Sequence, residues 1–287
     1  MVKFANFDGA EGTVVVSGYL GVAGERHRSV SFWIRTTQKD LATICYWGHD
    51  FRTARKEQVA TQLPGAALET VVVSGFPDGS ESRVRLVGGF IELFGKGSRR
   101  RSALKVNDGA FHYVVCTWFE GDAAPGHEDF QVGNIILDSF IENGKGVGPG
   151  HLPTFPDGSV HTSTAIDTRE LTEVVIGARP VTNTGVFGSG PGGADVSYTE
   201  HFQGDLDEFA VYNDVMSSGT ISGAYNAGVP GADLLSLDQV PALQFWYRMG
   251  DDPGDVVPSG TLPFGTFFDQ NPFTSRHGVV SSGVTIS

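Results

Sequence analysis

Cysteine is scarce in this sequence, because only Cys45 and Cys116 among its 287 residues are cysteines. Each lies within an apolar run, residues 42–47 and 113–118, and the spacing of the pair matches neither a zinc site nor a redox motif. A disulfide requires the two runs to lie side by side, whereas buried free thiols are typical of a reducing compartment. We therefore expect two buried free thiols and exclude a disulfide-rich fold.

The sequence also lacks any long apolar run and any excess of positive charge. No stretch approaches the roughly 20 apolar residues that a membrane-spanning helix needs, so we expect no membrane partner. Residues 1–4 lead directly into a predicted strand, which indicates that there is no signal peptide and that synthesis takes place in a cytoplasm. The formal net charge of −13 makes nucleic acid an unfavourable partner.

Signatures of catalysis and of transition-metal binding are missing as well. The eight histidines are scattered, without an i, i+4 pair or a His-Glu-x-x-His motif, and there is no Gly-x-Ser-x-Gly motif. Residues 89–96 approach a phosphate-binding loop, but the spacing is wrong and no Ser or Thr follows the lysine. The sequence favours a binding or structural protein over an enzyme.

Glycine and phenylalanine are abundant instead, with 39 and 20 residues, and only 18% of the residues are charged. Short runs rich in β-branched and aromatic residues recur between Gly, Pro, Asp and Asn, which is typical of antiparallel β-structure. We predict strands in residues 13–16, 30–34, 41–47, 70–73, 84–94, 111–118, 135–141, 173–176 and 205–212. The pair Gly88-Gly89 predicts a break within the fifth of these, and residues 218–227 predict one short helix. The pattern favours an all-β sandwich.

Five short motifs occur in the order expected of one known fold. Residues 7–9 read Phe-Asp-Gly, residues 30–35 read Val-Ser-Phe-Trp-Ile-Arg, and residues 109–115 read Gly-Ala-Phe-His-Tyr-Val-Val. Residues 174–178 read Val-Val-Ile-Gly-Ala, and residues 204–213, ahead of the predicted helix, read Gly-Asp-Leu-Asp-Glu-Phe-Ala-Val-Tyr-Asn. Together they resemble laminin-G-like, or concanavalin A-like, jelly rolls. The resemblance implies an all-β jelly-roll sandwich over residues 1–228, followed by a C-terminal extension over residues 229–287.

The resemblance also bears on catalysis, because some concanavalin A-like folds are glycanases whose active strand carries a Glu-x-Asp-x-x-Glu pattern. Two of these carboxyl groups act as nucleophile and acid. Here Asp205 and Asp207 occupy the first two positions, but the third is Ala210. The resemblance therefore implies a protein without enzymatic activity.

Calcium is the one cofactor that the resemblance implies. Laminin-G-like folds often hold a structural calcium ion between acidic side chains and backbone carbonyls near the ends of the sandwich. Asp8 and Asp207 are the positions that resemble such ligands. Each also has a simpler interpretation, because Asp8 can cap the Asp-Gly turn and Asp207 can accept a hydrogen bond from the backbone.

Residues 246–251, Trp-Tyr-Arg-Met-Gly-Asp, resemble a segment of laminin-G-like structural proteins from tailed bacteriophages. The resemblance implies a virion protein made in the host cytoplasm, either a capsid decoration protein or a tail or fibre component, with adhesion to a surface glycan as an added property. The alternative is a lectin-like carbohydrate-binding module that is not part of a virion. Such a module would bring two or three exposed aromatic side chains together at one loop end, with Trp47, His49 and Phe187 as candidates. Three long Gly-, Pro- and Asp-rich segments, residues 120–133, 144–159 and 182–197, are predicted to be functional or docked against a partner.

Two groups of residues are candidates for docking onto other virion proteins or onto copies of the same chain. Arg99, Arg100 and Arg101 lie in a basic segment, residues 96–105, whose alternative interpretation is a solvated loop between strands. The second group lies within residues 229–287 and consists of the aromatic side chains Phe245, Trp246, Phe267 and Phe268. Because exposed aromatic surface is unfavourable in water, we predict an assembly arm and a closed homo-oligomer, with a trimer as one form. The alternative is a strand and coil folded back on their own sandwich.

Overall fold

Two antiparallel β-sheets face each other in the computed structural model of the protein. The structure describes residues 3–22, 27–48, 82–95, 98–120, 131–138, 140–141, 173–182, 196–257 and 265–287. Within these ranges no helix is long and apolar enough to cross a membrane. The strand predicted at residues 70–73 and most of the three long Gly-rich segments lie outside the described residues.

The first sheet contains seven strands in a continuous order and an eighth beside them, numbered along the chain. From edge to edge the seven are β10 (Phe140–Ile141), β9 (Gln131–Leu137), β8 (Phe111–Glu120), β3 (Arg28–Arg35), β14 (Gln203–Tyr212), β1 (Ala5–Asp8) and β18 (Val284–Ile286). The eighth is β15 (Leu243–Tyr247), which pairs with β14.

The second sheet contains eight strands and packs against the first. In order they are β16 (Gly265–Phe267), β17 (Gly278–Val280), β2 (Val14–Val16), β11 (Val174–Ile176), β4 (Ala42–Trp47), β5 (Ser82–Val87), β6 (Phe90–Gly95) and β7 (Ser98–Lys105). A separate hairpin joins β12 (Arg179–Thr182) to β13 (Val196–Thr199). Gly88 and Gly89 turn the chain between β5 and β6 with φ of 62° and 87°, a conformation that residues with a Cβ rarely adopt.

The main hydrophobic core lies between the two sheets. Successive side chains of a strand point to opposite faces, so Phe209 and Val211 of β14 both point inward, and the bulge between Asp207 and Ala210 brings Leu206 to the same face; all three are buried in this core. Phe209 stacks on Phe32 of the neighbouring strand at a ring-centroid distance of 5.6 Å. Burying one such ring stabilises the fold by about 1.5–3 kcal/mol. Cys45 and Cys116 belong to the same core as buried free thiols, which confirms the prediction.

A second, smaller hydrophobic cluster covers the outer face of the first sheet. Helix α1 (Ser218–Tyr225) begins where the Ser217 hydroxyl accepts a hydrogen bond from the backbone N–H of Thr220, and it ends at Asn226 in the left-handed conformation. Its buried side chains pack onto outward-facing aromatic residues such as Trp33, and Tyr225 stacks on the Trp33 ring at 5.8 Å. The predicted short helix is therefore confirmed, and it covers this face.

Strand β14 changes partners along one of its edges. Residues up to Leu206 pair with β1, and residues from Phe209 onward pair with β15, while the other edge pairs with β3. A β-bulge interrupts the pairing with β3 between Asp207 and Ala210, and Glu208 has φ of 49°. The bulge and the change of partner leave Asp207 and Glu208 at a gap between two neighbouring strands.

The C-terminal segment belongs to the sandwich, which corrects the expected boundary at residue 228. Strands β15 and β18 extend the first sheet, and β16 and β17 extend the second, where β17 pairs with β2. Without them the three-residue strand β2 and strand β1 would each lose a partner. The structure thus shows the alternative interpretation, in which the segment folds back on its own sandwich. Its side chains Phe245, Tyr247 and Phe267 lie in the same core as Phe209 of β14.

Candidate functional site

Three carboxylates converge at the gap beside β14. Asp207 and Glu208 come from the bulge, and Asp251 comes from the turn that follows β15. Each residue offers one oxygen, and these oxygens lie within 4.8 Å of one another. We call these three residues the acidic cluster.

A cation and an indole contact the acidic cluster from the side of β15. Nε of Arg248 lies 3.5 Å from Oε1 of Glu208, and Nη2 of Arg248 lies 3.6 Å from Oδ2 of Asp251. The indole Nε1 of Trp246 donates a hydrogen bond to Oε2 of Glu208. Oδ1 of Asp251 accepts a hydrogen bond of 2.7 Å from the backbone N–H of Lys3, which joins the start of the chain to the cluster.

Buried polar atoms without partners surround the same position. Asp207 is fully buried, and although its Oδ1 accepts a hydrogen bond from Glu208 N–H, its Oδ2 has no hydrogen-bond partner among the described residues. The same holds for Nε1 of Trp33, which lies opposite Asp207 in the register of β3 and β14, and for the hydroxyl of Tyr212. A buried polar group left unsatisfied costs about 1–3 kcal/mol, so native proteins usually place water or an ion at such a position.

Burial also controls the protonation of the acidic cluster. Desolvation, reinforced by the charge of Glu208, raises the pKa of Asp207 to about 9. Desolvation raises the pKa of Glu208 to about 7, while the hydrogen bond from Trp246 and the charge of Arg248 act in the opposite direction. The raised pKa of Asp207 means that its carboxyl group is mostly neutral at neutral pH.

Asp8 and Asp207 do not form the shared calcium site that the sequence suggested. Oδ1 of Asp8 accepts hydrogen bonds from the backbone N–H groups of Ala10, Glu11 and Gly12 at 2.8, 2.9 and 3.0 Å. Asp8 lies opposite Gln203 in the sheet, so Asp207 is four residues, or about 13 Å, further along β14. The turn-capping interpretation of Asp8 is the one that the structure shows, and Asp207 has different neighbours.

The acidic residues of β14 are not exposed to a substrate. Asp205 accepts a hydrogen bond of 2.6 Å from Nε of Arg35 and another from the side chain of Asn6. Asp207 is fully buried, and Ala210 lies in the hydrophobic cluster beneath α1. The two carboxyl groups that sequence comparison aligned with a glycanase pattern therefore lie on a covered face.

Most of the predicted docking aromatics lie in the interior. Phe245, Trp246 and Phe267 are buried in the two hydrophobic clusters, so they are not available to a partner. This corrects their assignment, because pairing of β15 and β16 within the sheets covers them. Phe268 is the exception, with 36% of its surface exposed.

The basic segment is a strand rather than a loop, because β7 pairs with β6 along most of its length. Arg101 is exposed, and its guanidinium binds the fully buried carboxylate of Glu92, which also binds Arg85. One of the three predicted docking arginines therefore has an internal partner. The side chains of Arg99 and Arg100 lie outside the described residues.

The sequence singled out Phe268 but not the rest of the loop of residues 268–277, which holds another aromatic side chain in solvent. Oδ1 of Asp269 accepts hydrogen bonds from the backbone N–H groups of Trp246 and Asn271, and its Oδ2 accepts from the Thr274 hydroxyl and from Arg276 N–H. These contacts fix the loop, yet Phe273 at its tip is 80% exposed.

Neighbouring groups extend this exposed surface. Phe268, at the start of the loop, packs against the ring of His277 at a centroid distance of 4.9 Å. Nε2 of Gln270 donates a hydrogen bond to Oδ2 of Asp252 on the adjacent turn. We call residues 268–277 the aromatic loop. The signal for it in the sequence was the run of phenylalanines after residue 260, which we had assigned to an assembly arm.

The earlier glycan-contact candidates have other positions. Trp47 is fully buried in the main core, where its ring packs edge-to-face against Trp118 at 5.9 Å. It is therefore not a sugar-binding platform, because strand β4 places it between the sheets. His49 and Phe187 lie outside the described residues.

A second group of polar side chains surrounds His112 on strand β8 of the first sheet. Its Nδ1 lies 2.8 Å from Oδ2 of Asp138, and its Nε2 lies 3.1 Å from Oδ1 of Asp108. Burial alone lowers the pKa of His112, but the hydrogen bonds to the two carboxylates outweigh it and raise the pKa above its usual value. The imidazole of His112, on strand β8, is therefore held between Asp108, which precedes β8, and Asp138, which follows β9.

Comparison with known proteins places the fold. No protein-family model matches the sequence, and no curated protein matches it. Among solved structures, a candidate carbohydrate binding protein from Bacteroides ovatus is 14% identical with a TM-score of 0.53, and the match covers 100% of this chain and 60% of that one. The chain thus spans less than two thirds of the length of that structure.

Two further structures show weaker similarity. Domains LG4-5 of the mouse laminin alpha1 chain are 12% identical with a TM-score of 0.40, over 76% of this chain and 43% of that one. The enzymatically active domain of tailspike protein 2 from bacteriophage CBA120 is 12% identical with a TM-score of 0.38, over 82% of this chain and 28% of that one. The structure is an all-β jelly-roll sandwich of two antiparallel sheets, which confirms the fold class that the sequence predicted.

Proposed function

We propose that the protein is a non-enzymatic carbohydrate-binding jelly roll that serves as a structural component of a tailed-phage virion. The observation that carries the carbohydrate-binding part is the aromatic loop. Its backbone is fixed by the four hydrogen bonds to Asp269, so Phe273 is exposed without being on a free chain end. A rigid, exposed aromatic ring can stack on the apolar face of a sugar at a small cost in conformational entropy.

Polar groups in and next to the aromatic loop can hydrogen-bond to sugar hydroxyls. Gln270 of the aromatic loop donates a hydrogen bond to Asp252 on the adjacent turn, which holds both polar groups in place. Binding sites for small polar ligands combine an apolar surface with a few fixed polar groups. The jelly-roll scaffold shared with a candidate carbohydrate binding protein is compatible with this use.

We propose that the protein is not an enzyme because the acidic residues of β14 are covered. Glycoside hydrolysis needs two carboxyl groups that both reach the scissile bond. Asp207 is fully buried, Asp205 is held by Arg35, and the third position is Ala210. These contacts support a binding module over a glycanase.

The virion part of the proposal comes from residues 246–251 and their resemblance to phage structural proteins. In the structure these residues end β15 and form the turn with Arg248 and Asp251, so they are structural rather than exposed. Other virion proteins and copies of the same chain are the partners that this proposal requires. The test is to look for this protein by mass spectrometry in purified phage particles. If the protein is found in the lysate of infected cells but not in the particles, a virion role is contradicted.

The binding part is tested on a glycan array with the purified full-length chain. We expect binding to a subset of glycans, with at least a tenfold loss of affinity in Phe273→Ala because a stacked aromatic is commonly a binding hot spot. Leu104→Ala is the matched control, since Leu104 is 64% exposed and lies on β7 away from the loop. Absence of binding by the wild type, or equal binding by Phe273→Ala, would refute the loop as the site.

Homo-oligomerisation, with a trimer as one closed form, belongs to the same proposal. Within the described residues β7 lies at the end of the second sheet and pairs only with β6, so one of its backbone edges is open to another strand. Light scattering after size-exclusion chromatography gives the mass of the particle in solution. A mass near the 30.6 kDa of a single chain would contradict the oligomer.

A further inference from the structure

The outer surface of the second sheet is basic at the end formed by β5, β6 and β7. Side chains alternate between the two faces of a strand, and Ile91 and Leu93 of β6 lie in the main core. Phe90, Glu92 and Phe94 therefore point outward, opposite residues of β5 and β7 that share this face. Cationic side chains from both neighbouring strands lie on the same outer surface.

Cations and phenylalanine rings are interleaved there. Cζ of Arg85 lies 4.4 Å from the centre of the Phe94 ring. Nζ of Lys105 lies 5.2 Å from the centre of the Phe90 ring, and Cζ of Arg101 lies 5.8 Å from it. At these distances the rings attract the cations and help to hold them in place. We call Arg85, Arg101, Lys105, Phe90 and Phe94 the basic face.

The positive charge of the basic face exceeds what the adjacent carboxylate balances. The fully buried carboxylate of Glu92 binds both Arg85 and Arg101. Lys105 is exposed and has no ion-pair partner among the described residues. Arg101 is also accessible, because 39% of its side-chain surface is exposed. Three cations against one carboxylate leave an excess of two positive charges on this face.

The opposite edge of the same sheet has the complementary charge. Residues 249–275, which include β16, contain four aspartates and no lysine or arginine. Asp252 and Asp255 lie in the turn before β16, and neither has a cation within ion-pairing distance among the described residues. In the same region Val256, which bridges to β16, is 43% exposed and Phe268 is 36% exposed. We call Asp252, Asp255, Val256 and Phe268 the acidic edge.

The basic face and the acidic edge cannot meet within one chain. Seven spacings of about 4.8 Å, or about 34 Å in all, separate the first and last of the eight strands. We infer that the basic face of one copy docks onto the acidic edge of a second copy. The inference rests on the homo-oligomer of the proposed function and names the two surfaces that form it. Nucleic acid fits the basic face less well, because the net charge of −13 repels it from the molecule as a whole.

Apolar side chains on both surfaces add to the attraction between the charges. Phe90 and Phe94 are half-buried within one copy, and Val256 and Phe268 are the exposed apolar members of the acidic edge. Their burial in one contact removes apolar surface from water. Because the contact joins two different surfaces, each copy binds one neighbour through each surface, and a closed ring such as a trimer satisfies every copy.

Charge reversal on either surface tests the contact in the full-length chain, by light scattering after size-exclusion chromatography. Lys105→Glu and Asp252→Lys should each weaken self-association at least about tenfold, because each replaces an attractive contact by a like-charge contact. Self-association should also weaken between about 0.1 M and 1 M salt, since the Debye length falls from about 10 Å to about 3 Å. Asp238→Lys is the matched control, because Asp238 is exposed on the segment that covers the first sheet. It should leave self-association unchanged.

A mixture of the two variants tests whether the two surfaces bind each other. Lys105→Glu retains the acidic edge and Asp252→Lys retains the basic face, so a one-to-one mixture should recover the association that each variant lacks alone. Asp252→Asn removes the charge but keeps the acceptor for Gly254 N–H, so it carries the test if Asp252→Lys fails to fold.

The outcomes separate this contact from the oligomer itself. A wild type with the mass of a single chain would overturn both. An oligomer whose mass is unchanged in Lys105→Glu and Asp252→Lys would keep the oligomer and overturn this contact, and so would a mixture that stays dissociated. DNA binding that Lys105→Glu abolishes without a change in mass would assign the basic face to nucleic acid instead.

Discussion

The indole Nε1 of Trp246 donates a hydrogen bond to Oε2 of Glu208, joining residues that lie 38 positions apart in the chain. Both groups are buried, so water does not compete for either of them. The bond fixes the orientation of Glu208 at the bulge, where the left-handed backbone already limits its directions. The contact links the motif of β14 to the segment after α1, which the sequence had assigned to a separate arm.

Removing that indole N–H should destabilise the fold. We expect Trp246→Phe to lower the free energy of unfolding by about 1.5–3 kcal/mol beyond the loss of ring area, because a buried hydrogen bond to a carboxylate is lost. Trp33→Phe is the matched control, since the Trp33 N–H is buried without a described partner. Urea denaturation measures both variants, and equal losses would show that the hydrogen bond contributes nothing.

Replacing either of two phenylalanines of the C-terminal segment by alanine should have very different effects on stability. Phe245→Ala should lower the free energy of unfolding by about 3–5 kcal/mol, because Phe245 is fully buried between the sheets. Phe273→Ala should change it by no more than about 0.5 kcal/mol, because the ring is 80% exposed. Thermal denaturation measures the stability of both variants. A small effect of Phe245→Ala would support the assembly arm that the sequence predicted.

Deletion of residues 229–287 should prevent folding. The deletion removes strands β15 to β18, so that β1 and β2 each lose one of their two partner strands and the main core is exposed to water. We expect an insoluble or unfolded chain, as judged by far-UV circular dichroism and solubility after expression. A soluble, folded chain of residues 1–228 would restore the boundary predicted from the sequence.

The carboxylate partners of His112 should make stability depend on pH. The folded-state pKa of His112 is raised, so its stabilising contribution is complete below about pH 6.5 and is lost as the pH rises through the folded-state pKa. The stability difference between the wild type and His112→Gln should therefore shrink from acidic to alkaline pH. Asp138→Asn should flatten the dependence, and a difference that grows with pH would contradict the assigned charge state.

Asp8 should act through the backbone of its turn, independently of calcium. Burial raises the pKa of Asp8, but the three backbone N–H donors outweigh it and lower the pKa below the usual value. Asp8→Ala should therefore cost about 1 kcal/mol near neutral pH, and this difference should disappear as the pH falls through the folded-state pKa. Unfolding curves with calcium and with chelator should show the same cost, whereas a cost seen only with calcium would make Asp8 a ligand.

Local patterns predicted the elements of this protein well. The alternation of polar and apolar residues around Trp33 predicted strand β3, and the pair Gly88-Gly89 predicted the break between β5 and β6. The helix after Asn213 followed from its short periodic segment. These features depend on neighbours within a few residues, so a single sequence contains the information for them.

The acidic cluster could not be predicted in the same way. Asp251 reaches Glu208 only because β15 pairs with β14 beyond the point where β1 ends, and the bulge turns Glu208 toward the gap. Nothing near Asp251 in the sequence indicates that partner. The sequence did identify Asp207 as a candidate ligand, but it paired Asp207 with Asp8. Asp8 lies opposite Gln203, at the far end of the segment over which β1 and β14 pair.

The sequence by itself determined the strands with strong local patterns, such as β3, β8 and β14, because backbone sterics and side-chain alternation are local. It did not predict strands such as β7 and β12, whose local patterns are weaker. Tertiary structure alone decided which strands pair and hence which polar groups meet. Strand pairing depends on how each apolar face is buried and on which backbone edge lacks a partner, and these are properties of the whole sandwich. Phe267 and Phe273 show the difference, since they lie six residues apart in the same segment, yet one lies in the core and the other in solvent.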